Sequence, residues 1–124
     1  MVTDIKKQED RIQQEICLFY NNTYCKLTDI PRCLIFHVPN QNQYHLVSIG
    51  VLSGVSDLIV IHRTAQAVAS VTLFVEVKTP TGSQQPKQVA FQQRVTELGY
   101  AYIVVRSVDE FKQYINALEQ RLNV

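Results

Sequence analysis

Apolar residues recur along this chain with two different spacings, one typical of helices and one typical of strands. Ile5, Ile12, Ile16 and Phe19 follow a helical spacing near the start, and Asn21 is a natural helix stop. Further along, short β-prone runs alternate with turn residues and with two more helical patterns. In chain order, the pattern predicts a helix over 4–21, strands over 33–38, 57–62 and 71–78, a helix over 84–98, a strand over 100–105 and a helix over 108–122.

The connections predict how these strands pair. Residues 63–70 are few enough for a hairpin loop, so strands 57–62 and 71–78 should pair antiparallel. The run 100–105 is apolar throughout, which is typical of a buried strand in parallel pairing. Segment 41–53 fits either a short helix or an irregular loop. The order of elements therefore predicts an α/β fold with a central mixed β-sheet flanked by α-helices.

Length and composition narrow the class of protein. With 124 residues, of which 46% are hydrophobic, the sequence fits a single domain over 1–124. A net charge of +1 neither requires nor excludes a polyanionic partner. The three cysteines lack the spacing of a disulfide framework or a zinc site, and no apolar run is long enough to span a bilayer. We therefore expect a cytoplasmic protein with no membrane partner.

Two acidic residues and a lysine interrupt neighbouring apolar strands. Asp57 opens the strand 57–62, and Glu76 and Lys78 lie near the end of the strand 71–78. Because side chains alternate across a strand, Glu76 and Lys78 share a face while Val77 points to the other. Uncompensated buried carboxylates cost several kcal/mol, so two acids that converge in a sheet indicate a hard, oxygen-coordinated cation.

This set of residues matches the needs of phosphodiester hydrolysis. Asp57 and Glu76 are suited to hold Mg²⁺ together with the backbone carbonyl of Val77, and Lys78 to orient or activate the attacking water. The alternative is an ordinary charged pair on the solvent face of an edge strand. The apolar Phe74 on the same face as Glu76 argues against that alternative, so the catalytic interpretation is favoured.

A glutamate of the first helix is a further candidate. At about 100° per residue, Glu9 falls on or beside the apolar stripe that contains Ile12 and Ile16. Glu15 lies near the opposite edge of the same stripe. The helical pattern separates the two only slightly, and a solvated helix flank is the ordinary alternative for either glutamate.

Several of these segments together resemble a known nuclease family. They are Glu9-x-x-Ile12-Gln13, Gly54-Val-Ser-Asp57, Phe74-Val-Glu-Val-Lys78, Gln88-x-x-Phe91 and Leu98-Gly99. In this combination the chain resembles a stand-alone virus-type replication-repair nuclease (VRR-NUC) domain of the PD-(D/E)xK superfamily, which includes Holliday-junction resolvases. The sequence departs from the superfamily pattern at Ser56, where the proline that names it is expected. We expect the change to be tolerated because that residue shapes a turn and binds no metal.

The resemblance implies a restriction-endonuclease-like core and assigns roles in the active site. Asp57 and Glu76 correspond to the metal ligands for Mg²⁺ or Mn²⁺, and Lys78 to the catalytic lysine. The helix glutamate of the family, an auxiliary ligand, corresponds to Glu9 because it stands three residues before Ile-Gln, with Glu15 as the alternative. No small-molecule cofactor is implied.

The same resemblance extends to the substrate and the assembly. Gln88 corresponds to a family glutamine that contacts the scissile phosphate or its water, although a surface amide is the ordinary alternative. Cations around this face are candidate DNA contacts: Lys87, Arg94, Arg106, Lys6, Lys7 and Arg11. The expected activity is that of a Holliday-junction resolvase from a phage or bacterial genome, acting as a homodimer on branched DNA. The alternatives are a sequence-directed, restriction-like duplex nuclease and a non-catalytic DNA-binding module.

Overall fold

The computed structural model describes residues 4–25, 32–39, 52–64 and 69–122, so most of the predicted segment 41–53 lies outside the described residues. The elements agree with the predicted order and differ from the predicted ends by a few residues. They are α1 (Asp4–Tyr20), a π-helical turn (Asn21–Cys25), β1 (Leu34–His37), β2 (Leu58–His62), β3 (Val71–Val77), α2 (Pro86–Glu97), β4 (Ala101–Val105) and α3 (Val108–Leu122).

The four strands form one mixed sheet in the order β1-β2-β3-β4. Strands β1 and β2 pair antiparallel, as do β2 and β3, and β3 pairs parallel with β4. The antiparallel pairing of β2 with β3 and the parallel pairing of β4 are both as predicted. The predicted α/β fold with a central mixed sheet flanked by helices is therefore confirmed.

One face of the sheet carries the main apolar core. Alternate residues of β2 and β3 point to this face and are buried against helices α1 and α3. The core residues from these four elements are Leu58, Val60, Leu73, Val75, Val77, Ile16, Tyr20, Phe111, Ile115 and Leu118. Burial of this set is the main source of stability, because apolar area removed from water contributes about 25 cal/mol per Å².

The opposite face of the sheet is covered by α2 over β3 and β4. Phe74 of β3 contacts Phe91 of α2 with ring centroids 5.7 Å apart, and Tyr102 of β4 lies 6.2 Å from the same ring. Strand alternation places Glu76 and Lys78 on this face as well. The helix α2 and its N-terminal approach therefore border the predicted catalytic residues.

Local residues stabilise the end of α2 and the start of α3. Gly99 follows Leu98, the C-cap residue of α2, and has φ of +92°, a left-handed conformation that favours glycine. At the start of α3, the hydroxyl of Ser107 accepts a hydrogen bond from the Glu110 N–H at 3.1 Å. Glu110 in turn accepts one from the Arg106 N–H at 2.7 Å.

The α-helix predicted over 4–21 ends at Tyr20, directly before Asn21, and a π-helical turn follows, whose Tyr24 packs against Tyr20 at a ring-centroid distance of 5.1 Å. One local prediction was wrong. The strand β4 is not buried on both faces. It forms an edge of the described sheet, and only Val105 of its five residues is fully buried.

A buried polar network ties the core side of the sheet together. His62, at the end of β2, lies 2.7 Å from the Tyr20 hydroxyl through Nδ1 and 2.7 Å from a Glu119 carboxylate oxygen through Nε2. The Cys33 thiol lies 3.5 Å from the same Nδ1. This network joins α1, β2 and α3 to Cys33, the residue before β1. Within the described residues, no helix is both long enough and apolar enough to cross a membrane.

Candidate active site

A glycine turn sets the position of Asp57. Gly54 has φ of +83°, and a side chain at this position would collide with the Lys87 carbonyl oxygen in α2. The buried Ser56 donates a hydrogen bond from its hydroxyl to the Leu58 carbonyl at 3.3 Å. Ser56 therefore shapes this turn by a hydrogen bond at the position where the superfamily has proline.

Asp57 and Glu76 lie opposite each other across β2 and β3. Leu58 pairs with Val75, so the register extended by one residue sets Asp57 beside Glu76. The Val77 N–H donates a hydrogen bond to Asp57 Oδ2 at 2.8 Å, which fixes this carboxylate against β3. The antiparallel pairing therefore brings together two acids that are nineteen residues apart in sequence.

Glu76 and Lys78 are both buried. Their side chains are 2% and 8% exposed, and Lys78 Nζ lies 3.7 Å from Glu76 Oε2. These exposures exclude the alternative of a solvated charged pair on an edge strand. The Lys78 amine therefore lies beside the Glu76 carboxyl group in a site with little access to water.

The surroundings of Glu76 strongly disfavour its charged form. Burial raises the pKa of Glu76 to about 8, with a further contribution from the charge of Asp57 that outweighs the opposing effect of Lys78. Its Oε2 accepts a hydrogen bond from Gln88, whereas its buried Oε1 has no hydrogen-bond partner among the described residues. An unpartnered buried carboxylate oxygen is costly unless a proton or a cation binds it.

The structure separates the two helix glutamates clearly. Glu9 is partly buried, and burial raises its pKa, with Lys78 lowering it and Asp57 raising it further. Glu9 therefore lies within electrostatic range of Lys78 and Asp57. Glu15 is exposed. Of the two, Glu9 is therefore the one that the fold brings to Asp57 and Lys78.

Gln88 bridges the site and the start of α2. Its Nε2 donates a hydrogen bond to Glu76 Oε2 at 3.0 Å, and its Oε1 accepts one from the Gln85 N–H at 2.7 Å. It is therefore not a free surface amide. In this arrangement it holds the orientation of the Glu76 carboxylate, a different contact from the predicted one with the scissile phosphate or its water.

The donor set fits a hard divalent cation. Carboxylate oxygens are the ligands that Mg²⁺ prefers, and Glu76 presents one without a hydrogen-bond partner in the described part of the chain. Within the described ranges, no three His, Cys, Asp or Glu side chains already surround one point as a closed ligand shell. Mg²⁺ usually keeps several waters and takes only one or two protein carboxylates, so Asp57 and Glu76 are sufficient for that mode of binding.

The candidate DNA-contacting cations occupy different environments. Lys87 and Arg94 are exposed and line a cavity of about 190 Å³ between α2 and the segment that contains Leu52 and Ser53. Arg106 is hydrogen-bonded to the turn after β3. Its Nη1 donates to the carbonyls of two turn residues, Thr79 at 2.7 Å and Gly82 at 2.6 Å.

The cations of α1 are all exposed. Lys6 pairs with Asp10 at 3.0 Å, and its pKa is raised mainly by that hydrogen bond, with smaller contributions from the charges of Asp57 and Glu9. Lys6 therefore lies near the carboxylates. Lys7 and Arg11 are exposed on the same helix.

Sequence reasoning missed two residues beside the site. The Tyr102 hydroxyl accepts a hydrogen bond from Gln84 Nε2 at 3.1 Å. Burial raises the pKa of Tyr102, and the charges of Glu76 and Asp57 raise it further, so the ring lies close to both carboxylates. Pairing of Tyr102 with Phe74 puts it on the face that carries Glu76. A signal was present, because alternation along a strand paired parallel to β3 predicts which of its residues share that face.

Comparison with known families agrees with this geometry. The sequence profile of the VRR-NUC domain matches residues 2–109, which is most of the chain. The chain belongs to the VRR-NUC family. The predicted family resemblance is therefore confirmed, and with it membership in a nuclease family whose members generally use divalent metal ions. No curated protein matches the chain significantly.

Two solved structures share the fold of this VRR-NUC chain. One, described as a VRR_NUC domain, has a TM-score of 0.61 and 22% sequence identity, over 88% of this chain and 95% of its own. Another, described as a VRR_NUC domain protein, has a TM-score of 0.67 and 23% identity, over 89% of this chain and 86% of its own. At these identities the likeness establishes the fold, while the substrate has to be argued from the site.

Proposed function

We propose that this chain is a metal-dependent, structure-selective endonuclease that hydrolyses phosphodiester bonds of branched DNA, as a Holliday-junction resolvase does. The observation that carries the proposal is Glu76. It is a buried carboxylate beside a second acid and a lysine, and one of its oxygens has no partner in the described part of the protein. Such a group is unfavourable for folding and is retained where chemistry needs it.

In the proposed site, Asp57 and Glu76 would hold Mg²⁺ or Mn²⁺ together with the backbone carbonyl of Val77, and Glu9 would assist from α1. The bound cation would supply Lewis-acid stabilisation of the charge that develops on the phosphate. The Val77 N–H holds Asp57 Oδ2, and Gln88 holds Glu76 Oε2, so both carboxylates are oriented before substrate binds.

The role proposed for Lys78 follows from its buried position. Its ammonium lies near Glu76 and shares the sheet face that α2 borders. From there it is suited to orient the attacking water and to neutralise charge on the phosphate. The distance of 3.7 Å between Lys78 Nζ and Glu76 Oε2 is longer than a charge-assisted hydrogen bond. The N–H groups of Lys78 thus keep capacity for the substrate.

Branched DNA and a homodimer belong to the same proposal. A four-way junction has two-fold related strands, and one small chain offers one such site, so paired cleavage requires two copies about a two-fold axis. We propose that the interface forms on segment 41–53 or on α3. Most of segment 41–53 lies outside the described residues, and on the outer face of α3 residues 113, 116, 117, 120 and 121 are exposed.

The test is cleavage of end-labelled four-way junction, flap and linear duplex DNA by wild type and Lys78→Ala, with Mg²⁺ or Mn²⁺ and with EDTA as the control. A matched variant is Lys112→Ala, because this lysine lies on α3 with its amine over the Phe19 ring. We expect paired, metal-dependent nicks in the junction that Lys78→Ala abolishes and Lys112→Ala retains. Cleavage of duplex at defined sequences would favour the restriction-like alternative, and binding without cleavage would favour a non-catalytic module.

A further inference from the structure

Next to the carboxylates, the structure contains a neutral polar pair that the proposed reaction has not used. It consists of the Tyr102 phenol and the Gln84 amide, joined at 3.1 Å. Gln84 directly precedes Gln85, the N-cap residue of α2, and Tyr102 is the second residue of β4. Both side chains are partly buried, so they are accessible at the surface without being free in solvent.

The position of the phenol follows from the sheet. Tyr102 is paired with Phe74, two residues before Glu76, and strand alternation directs it to the face that carries Glu76 and Lys78. The Phe91 ring, 6.2 Å away, holds one side of the Tyr102 ring. The charges of Glu76 and Asp57 both act on the phenol, which agrees with its place beside the site.

The direction of the hydrogen bond decides what the pair can do. Gln84 donates and the phenol oxygen accepts, so the Tyr102 O–H proton is not used in this bond. Burial raises the pKa of Tyr102, so the phenol keeps that proton at neutral pH. The result is a fixed, neutral donor beside two carboxylates.

A hydrogen-bond donor at this place lies where negative charge opposes the binding of nucleic acid. Any charge on Asp57 and Glu9 that a bound cation does not neutralise repels a polyanionic strand, and a neutral hydroxyl can donate to a phosphate oxygen of that strand. We propose that the Tyr102 hydroxyl, oriented by Gln84, binds a non-bridging phosphate oxygen of the nucleic-acid strand next to the scissile phosphate. This inference rests on the proposed function, because it assumes that the site binds DNA.

The first experiment compares Tyr102→Phe with wild type on the junction cleaved by wild type. The substitution removes only the hydroxyl and retains the ring that packs on Phe91. The matched control is Tyr100→Phe, because Tyr100 also contacts the Phe74 ring, at 6.1 Å, but is exposed. We expect Tyr102→Phe to lower kcat/KM about tenfold, which corresponds to one hydrogen bond to a charged group. The loss should appear mainly as a higher KM, since the contact exists before the chemical step.

The second experiment locates the contact on the DNA. Single methylphosphonates, which lack the charged phosphate oxygen, are placed one at a time on either side of the scissile phosphate. Wild type should lose activity strongly at one flanking position, and Tyr102→Phe should lose no further activity there. Gln84→Ala should weaken the same positional effect, because it leaves the hydroxyl without its orienting donor.

The outcomes separate this inference from the proposed function. If wild type cleaves DNA and Tyr102→Phe matches it in kcat/KM, the inference is wrong while the nuclease assignment stands. Equal sensitivity of both proteins to every methylphosphonate would also overturn the inference. This second result holds even if the variant is less stable, because each protein is compared with itself. If wild type cleaves no DNA with either metal, the proposed function itself fails.

Discussion

Replacement of Glu76 by glutamine should stabilise the metal-free protein at neutral and alkaline pH. In the folded protein the pKa of Glu76 is raised to about 8, mainly by burial, from 4.5 for the free side chain. Between these two values the folded state keeps a proton that the unfolded state has released. The free energy of unfolding therefore falls as pH rises through this window, and the fall is complete above pH 8.

The size of this effect follows from the shift. Each pH unit inside the window lowers the free energy of unfolding by about 1.4 kcal/mol, so the whole shift corresponds to up to about 5 kcal/mol. Glutamine keeps the acceptor for Gln88 and carries no charge, but it leaves Lys78 without the neighbouring carboxylate. We therefore expect Glu76→Gln to gain about 2–4 kcal/mol at pH 8 and almost nothing near pH 5.

Urea denaturation followed by far-ultraviolet circular dichroism, in EDTA at pH 5, 6, 7 and 8, measures this difference. Glu15→Gln is the matched control, because it removes an exposed glutamate and should leave the pH dependence unchanged. Excess Mg²⁺ should stabilise wild type at pH 8 much more than Glu76→Gln, since binding requires the ionised carboxylate. The reasoning is refuted if wild type shows no loss of stability from pH 5 to 8, or if the two glutamine variants behave alike.

Three further predictions concern the supports of the site. Gly54→Ala should lower the free energy of unfolding by more than about 1 kcal/mol in urea titrations and reduce cleavage, because the new side chain collides with α2; unchanged stability would contradict the observed turn. Tyr20→Phe should cost about 1–3 kcal/mol, because it leaves Nδ1 of the buried His62 without its 2.7 Å partner, and a thermal melt with unchanged Tm would exclude that bond. Glu9→Gln should reduce metal-dependent cleavage whereas Glu15→Gln should not, and equal rates for the two variants would remove Glu9 from the site.

The element pattern could be predicted from the sequence because it depends on local periodicity. The spacing that predicted α3 over 108–122 matches its observed limits, and Gly99 marks the end of α2 as expected. The family could also be predicted from the sequence, and with it the set of Asp57, Glu76 and Lys78. Each of these residues lies in a short motif whose spacing has a structural reason. Their catalytic roles stay predictions until cleavage is measured.

Other features were decided by tertiary structure. No local pattern separates Glu9 from Glu15, because both lie at edges of one helical stripe. Only the packing of α1 on the sheet brings Glu9 to the carboxylates. The hydrogen bond from Gln88 to Glu76 likewise depends on where α2 crosses the sheet face. The partial burial of β4 was also decided by tertiary structure, because an apolar run in the sequence does not indicate whether its strand lies at a sheet edge.

A physical reason separates the features that sequence determines from those that tertiary structure determines. Side-chain direction along a helix or strand repeats every few residues, so sequence alone determined the elements, their faces and the acids and lysine available for catalysis. Burial raises the pKa of Glu76 only after β2, β3, β4 and α2 have packed, because the atoms that exclude water are distant in sequence. The same packing brings the Tyr102 hydroxyl to this site. The residue types needed for the chemistry were therefore present in the sequence, and their electrostatic setting was created by the fold.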